Sequence, residues 1–282
     1  MKKILLTFSL FAMTLMASAQ EPTLKARSIY DVNQDDKVTV QDVPALANKL
    51  LGTADSHDYV DLGLPSGTLW ATCNVGAEKP EDYGLYFAWG ETVGYGSDTS
   101  DGRKFDWASY KWMDHSINDW KGCLKYTFAD RQTLGKWYSG STYVGTTVDG
   151  KTYKTLTQLE SADDAATANW GGNWRMPTKA ELDELRNTSN CTWEWTTVNG
   201  VNGYKVTSKV SGYVGNSIFL PASGYRYRSS LSYVGSYGDY WSSELGTDGS
   251  DIAYYLDFDS GNVDWDGGDR YWGQSVRPVA QK

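Results

Sequence analysis

The sequence predicts an α+β domain of short strands, long loops and two central helices, preceded by a small N-terminal loop-helix module. Three observations carry that prediction. Residues Asn169 to Leu182 read as a helix end, an extended triplet and a second helix start. Apolar or alternating runs of strand length flank this joint on both sides. Between Val93 and Leu156 the chain mixes Gly, Ser, Asp and scattered Trp with no sustained period, as long loops with short hairpins do.

The joint is specified residue by residue. Ser161-Ala162-Asp163-Asp164 offers an N-cap hydroxyl with a carboxylate three residues on, and the alanines up to Trp170 favour a helix. Gly171-Gly172 then supplies a stop at positive φ. Trp174-Arg175-Met176 alternates apolar, polar, apolar, and Pro177 keeps Met176 extended. Thr178 and Glu181 form a capping box for a second helix, whose Leu182 and Leu185 share a face. Such a reversal must pack on a sheet.

At the N-terminus, Met1-Lys2-Lys3, the apolar run Ile4 to Met16 and Ala17-Ser18-Ala19 form the basic, apolar and small-residue series of a secretory signal peptide, residues 1–19. No cysteine beside the cleavage site offers a lipid acceptor, and no later run approaches a membrane span. The expected address is outside the inner membrane: secreted, cell surface or periplasm. A net charge of -9 disfavours nucleic acid as a partner. The chain holds 20 Tyr and 13 Trp against 7 Phe, so most rings carry a polar handle, which suits both sugar faces and Tyr-rich strands. Cys73, Cys123 and Cys191 leave an odd thiol, and a Cys73–Cys191 bridge or three buried thiols are both open.

Residues 20–52 carry Asp31, Asn33, Asp35, Lys37, Thr39 and Asp42, oxygen donors at loop positions 1, 3, 5, 7, 9 and 12. Side chains at most of these offsets, with the Lys37 carbonyl, wrap a backbone turn around calcium. Val40, Val43, Leu46, Ala47 and Leu50 follow at helical spacing, and Gly52 ends the helix. This segment resembles one repeat of a type I dockerin, over Asp31 to Leu51, which implies a cohesin-like module as a partner. Dockerins carry two such repeats, and Asp36 stands where related loops place Gly.

Residues 53–58 are a polar linker, and residues 59–282 form the larger domain. Tyr59 to Thr72 predicts two strands about Pro65-Ser66-Gly67, and Tyr83 to Glu91 another strand. A hairpin is expected at Asp149-Gly150, and tight turns at Asn199-Gly200 and Asn202-Gly203 before the strand Tyr204 to Ser208. Ser217 to Ala222, Tyr240 to Ser243, Ala253 to Phe258 and Ser275 to Val279 complete the strands.

The series Gly63 to Ala77, Trp174-Arg175-Met176-Pro177-Thr178, Phe219 to Gly224, Tyr240-Trp241-Ser242-Ser243 and Ser275 to Val279 resembles the Fibrobacter succinogenes major paralogous domain family. The resemblance spans nearly all of the chain from Tyr59. It implies a C-type-lectin-like fold, in the branch shared with formylglycine-generating enzymes. Those enzymes use paired cysteines late in the domain, and none follows Cys191 here. The Glu-Pro-Asn and Gln-Pro-Asp sugar-binding triplets of C-type lectins are also missing. Fold does not deliver function.

Catalytic constellations are sparse. The two histidines, His57 and His115, fall in the linker and a loop. Asp257 and Asp259, two apart on a predicted strand, read as a glycosidase pair or as solvated acids. The C-terminal segments, with Tyr225, Tyr227, Arg228, Tyr233, Tyr237, Asp239, Asp257, Asp259, Asp264, Asp266 and Tyr271, mix Tyr, Ser, Asp, Gly and Arg between apolar anchors. That is a paratope-like composition, and equally that of solvated turns. It also resembles the variable region of retroelement-diversified proteins on the C-type-lectin-like fold. The expectation is a non-enzymatic binding or adhesion protein whose C-terminal rim takes a glycan or protein ligand. The competing expectations are a dockerin-tethered accessory component of a polysaccharide-degrading assembly and an acidic-residue hydrolase.

Overall fold

The computed structural model describes residues 57–116, 120–127 and 156–282 without 248, together with four short strands between 138 and 153. The signal peptide and the calcium loop with its helix lie outside the described residues. Strands β1 (Tyr59–Asp61) and β2 (Thr68–Ala71) pair antiparallel about the Pro65-Ser66-Gly67 turn, as expected. β3 (Tyr86–Phe87) is shorter than the run from Tyr83 to Glu91 suggests. Tyr86 exchanges backbone hydrogen bonds with Tyr95, and the chain turns away at Gly90, φ 78°. In the long segment that follows, β4 (Tyr138–Ser139) pairs with β5 (Thr142–Tyr143), and β6 (Thr146–Val148) with β7 (Lys151–Tyr153). The second hairpin flanks Asp149-Gly150, where it was expected.

Helix α1 (Ala165–Trp170) starts later than the alanine-rich run predicts. Ser161 to Asp163 form a 3-10 turn, and the cap is Asp164 rather than Ser161. The Asp164 carboxylate accepts the Thr167 N–H at 2.9 Å with one oxygen and the Met176 N–H at 2.8 Å with the other. A single buried carboxylate therefore starts the helix and anchors the extended triplet, a pairing the Ser161 hydroxyl has no second oxygen to make. Gly171 and Gly172 end the helix at φ 75° and 56°. Arg175 exchanges two backbone hydrogen bonds with Val279, at 3.0 and 2.9 Å, while Trp174 and Met176 point into the core. Helix α2 (Lys179–Arg186) opens on the expected capping box of Thr178 and Glu181 and buries Leu182 and Leu185.

β8 (Cys191–Val198) and β9 (Val201–Ser208) form a hairpin whose two-residue turn, Asn199-Gly200, takes φ 51° and 87°. Those left-handed values match the twist of the flanking strands. Asn202-Gly203, expected as a second turn, instead lies inside β9. Its glycine is required by close approach, since a Cβ there would stand 2.3 Å from the Leu220 carbonyl oxygen on β10 (Ser217–Pro221). β11 (Tyr225–Tyr227) and β12 (Ser230–Ser232) make a small hairpin. β13 (Gly238–Leu245), β14 (Ile252–Phe258), β15 (Val263–Asp269) and β16 (Gln274–Ser275) join β3 in a five-stranded sheet ordered β15-β14-β13-β16-β3. β17 (Val279–Gln281) returns to β2, so the last strand closes on the first sheet. With two α-helices among the described residues, the fold is mixed and β-rich.

Strand alternation gives the five-stranded sheet two apolar faces. Tyr240, Leu256 and Phe258 pack with Leu182, Leu185, Trp70 and Val279 on the α2 side. Trp241, Ala253 and Tyr255 pack with Phe87, Trp89, Phe105 and Tyr110 on the loop side. The three cysteines are free, so the Cys73–Cys191 bridge is not formed. Cys191 is a buried core thiol, pushed up to about 11 by burial.

Candidate functional site

The site is built on the loop side of the five-stranded sheet, starting from a buried arginine. Arg226 is fully buried at the centre of β11, and its guanidinium grips the Asp101 carboxylate with both terminal nitrogens, one at 3.0 Å. Its backbone N–H donates to the Gly273 carbonyl at 2.7 Å. With Arg226 pointing in, alternation turns Tyr225 and Tyr227 to the opposite face. The Tyr225 ring stacks on Trp272 at 5.1 Å and 13°, and the Tyr227 ring meets the same indole edge-on at 6.3 Å. Tyr233, 57% exposed, lies 5.8 Å from Tyr225 and 5.1 Å from Tyr237. An aromatic run thus leads from a solvent-exposed tyrosine to a half-buried tryptophan. Arg228 and Tyr233 hold φ of 53° and 60°, left-handed values that cost non-glycine residues energy and mark sites where the surroundings over-determine the backbone.

Beside this run the sheet carries carboxylates. Asp239 on β13 lies directly opposite Asp257 on β14, and Asp266 on β15 lies opposite Tyr255. Asp239 is 3% exposed, and its Oδ2 has no hydrogen-bond donor. Burial, then the charges of Asp257 and Asp266, push its carboxyl up to about 8. Asp257 is partly buried and is pushed up to about 6 by burial, then by Asp266, Asp259 and Asp264. Asp266 is exposed, and its Oδ2 accepts the Tyr255 hydroxyl at 3.2 Å. Among the described residues no Lys or Arg forms an ion pair with any of these three carboxylates.

Gln274 completes the floor. The parallel pairing of Tyr240 with Ser275 sets Gln274 beside Asp239 on the same face. It is fully buried, and neither its Oε1 nor its Nε2 has a partner. Its Nε2 lies 3.3 Å from the place a Cβ on Gly268 would take, with Tyr255 Cε1 and Trp272 Cε3 each 3.1 Å from it. Glycine at 268 thus lets an amide, a phenol and an indole converge closely on the β15 backbone, where a side chain would crowd all three. The Trp272 Nε1 is a further buried donor without a partner. Unpaired polar groups in such a place carry a desolvation cost that a ligand can relieve.

Of the residues singled out from sequence, Tyr225, Tyr227, Tyr233, Tyr237, Asp239, Asp257 and Asp266 come together here. Arg228 lies at the margin with its guanidinium 5.2 Å over the Tyr227 ring. Tyr271 is 8% exposed and packs edge-on against Trp107 at 4.5 Å, so it supports the run from beneath. Asp264 pairs with Arg186 of α2 at 2.8 Å, at the outer edge of the sheet. Asp259 accepts the Gly261 and Asn262 N–H groups at 2.7 and 3.0 Å, which commits it to the β14–β15 turn. The proposed calcium ligands Asp31, Asn33, Asp35, Lys37, Thr39 and Asp42 lie outside the described residues. No group of three or more His, Cys, Asp or Glu suited to a metal ion occurs among the described residues.

Sequence reasoning missed Trp272, Gln274 and Tyr255, and read Asp264 to Tyr271 as loop. Residues 263–269 are in fact the edge strand β15. The signal was present, for Val263 and Trp265 alternate with Asp264 and Asp266. Two aspartates and Gly267-Gly268, all poor strand formers, hid it. Among the described residues no helix is long and apolar enough to cross a membrane. Compared with known proteins, the chain matches no family model, no curated protein and no solved structure.

Proposed function

We propose that the protein is an exported, non-enzymatic binding protein whose C-terminal rim recognises a glycan. The observation that carries this reading is the stacked Tyr225–Trp272 pair, continued outward by Tyr233 and bordered by Asp257 and Asp266. Aromatic faces pack against the apolar faces of sugar rings, and carboxylates and amides beside them accept and donate to hydroxyls. A C-type-lectin-like domain suits the order of two helices between terminal strands that pair with each other. The signal-like N-terminus supports export, to the periplasm, the cell surface or the medium, and the calcium-loop segment supports tethering to a larger assembly.

Glycan-array binding of the full chain tests the reading. Binding to at least one glycan class is expected, and Tyr225→Ala or Tyr233→Ala should weaken it by about tenfold, the equivalent of about 1.4 kcal/mol. Full retention of binding in both variants removes the platform from the site.

A second reading rests on the Asp239–Asp257 pair. Two neighbouring carboxyls held at different raised values are what acid–base hydrolysis of a glycosidic bond requires. It predicts release of reducing sugar from a polysaccharide panel, abolished by Asp257→Asn. No release on any substrate leaves binding as the function.

A further inference from the structure

The carboxylate-bearing face beside the aromatic run has a donor and acceptor balance that specifies more than a neutral sugar. Asp239, Asp257 and Asp266 bring three carboxyl groups to one face within neighbouring strand positions, and the charges that act on Asp239 among the described residues, those of Asp257 and Asp266, are negative. Structural acid clusters are normally balanced by an arginine or lysine, as Arg226 and Asp101 show a short distance away. Here the face opposite the carboxylates is aromatic, formed by Tyr225 and Trp272. Carboxylates combined with electron-rich ring faces attract an ammonium group, through charge and through the ring quadrupole.

The orphaned atoms narrow the ligand further. Gln274 Oε1 is a buried acceptor without a donor, Gln274 Nε2 and Trp272 Nε1 are buried donors without acceptors, and Asp239 Oδ2 is buried without a partner. A simple amine donates but accepts nothing, so it leaves the two nitrogens unsatisfied. A neutral sugar leaves the carboxylate cluster uncompensated. A sugar ring bearing a free amine provides an ammonium donor, hydroxyl acceptors and an apolar face in one unit.

We infer that the site selects an amino sugar, with its ammonium among Asp239, Asp257 and Asp266 and its ring against the Tyr225–Trp272 pair. Asp266 is exposed and Asp257 partly buried, so these two carboxyls meet the ligand first, while Asp239 is 3% exposed. The inference rests on the glycan-binding reading, and its test separates the two. Asp239 is faced by Asp257 and Asp266 across the sheet, by Gln274 from β16 and by Tyr225 from β11, none of them cationic. An arriving ammonium therefore favours the ionised carboxylates, and binding near neutral pH releases protons to the buffer.

The experiment is titration calorimetry of the full chain with a glucosamine hexasaccharide and with its fully N-acetylated counterpart, at a pH where the amine is protonated. The expected result is at least about tenfold tighter binding of the amine form, with proton release visible as a dependence of the heat on buffer. Asp257→Asn should abolish that preference. Asp266→Asn, on an exposed edge-strand carboxylate, should reduce it and keeps the test decisive if Asp257→Asn fails to fold. Equal affinity for the two hexasaccharides, or an unchanged preference in Asp266→Asn and folded Asp257→Asn, overturns the amino-sugar inference. If the acetylated form binds and Tyr225→Ala weakens it, the glycan reading stands without the ammonium. If neither form binds, the amino-sugar inference falls, and the glycan array decides the broader reading on its own.

Discussion

Single residues set the pH behaviour of this protein in opposite directions. Asp239 titrates near its ordinary carboxylate value when unfolded and at about 8 when folded, because burial and two neighbouring acids oppose its charge. The folded state holds the proton more tightly, so stability falls as pH rises from about 4 to 8, with a slope approaching 1.4 kcal/mol per pH unit at most. Urea midpoints measured across that range should decline, and Asp239→Asn should flatten the decline. Glu181 works the other way. Burial raises its carboxyl, but two Arg175 hydrogen bonds, the Thr178 N–H and the Thr68 hydroxyl outweigh burial and hold it at about 2. Its contribution is present above about pH 4.5 and is lost as pH falls toward 2, so Glu181→Gln should narrow the loss of stability in acid. The two effects act in adjoining pH windows, which lets one pH series separate them. The capping role of Glu181 was legible in the Thr-x-x-Glu spacing. The burial of Asp239 was not, since Gly238-Asp239 has the composition of a turn and only pairing with β14 places it under the aromatic run.

Elements whose ends are chemically marked were the legible ones. The Thr178–Glu181 capping box, the Gly171 stop and the Asn199-Gly200 turn appear where local chemistry puts them, because each satisfies backbone groups within a few residues. Thr178→Ala should cost about 1 kcal/mol, read as a lower urea midpoint at unchanged slope, since the Glu181 N–H loses its acceptor. Elements fixed by partners far along the chain were not legible. Gly203 looks like a turn residue and is a contact residue, because Leu220 on β10 leaves no room for a side chain. α1 starts at Asp164 rather than Ser161 because Asp164 also holds Met176, a bond that exists only once the reversal has formed. β15 needs β14 beside it to become a strand at all.

Across the whole molecule, buried arginines tie distant segments without using surface charge. Arg277 is 1% exposed and forms no ion pair with a carboxylate among the described residues. It donates to the Ala71, Thr72 and Phe219 carbonyls and to Asn74 Oδ1, at 2.7 to 3.0 Å. These bonds join the segment after β2, strand β10 and the C-terminal segment into one unit. Arg277→Ala removes the donor from two buried carbonyls, a part-buried one and the buried Asn74 Oδ1, so a loss of about 3 kcal/mol or more in urea denaturation is expected. Arg226 does the same for the site, holding β11 to Asp101 so that Tyr225 and Tyr227 face outward. The aromatic rim is thus mounted on a scaffold held by Arg226 and Asp101, and substitution of Tyr225 or Tyr233 should leave stability nearly unchanged. The most direct test of the central claim measures both properties on one variant, Tyr225→Ala: glycan affinity and urea midpoint. The account predicts about tenfold weaker binding with a midpoint close to that of the parent chain. Unchanged binding, or a loss of binding that only follows unfolding, contradicts it.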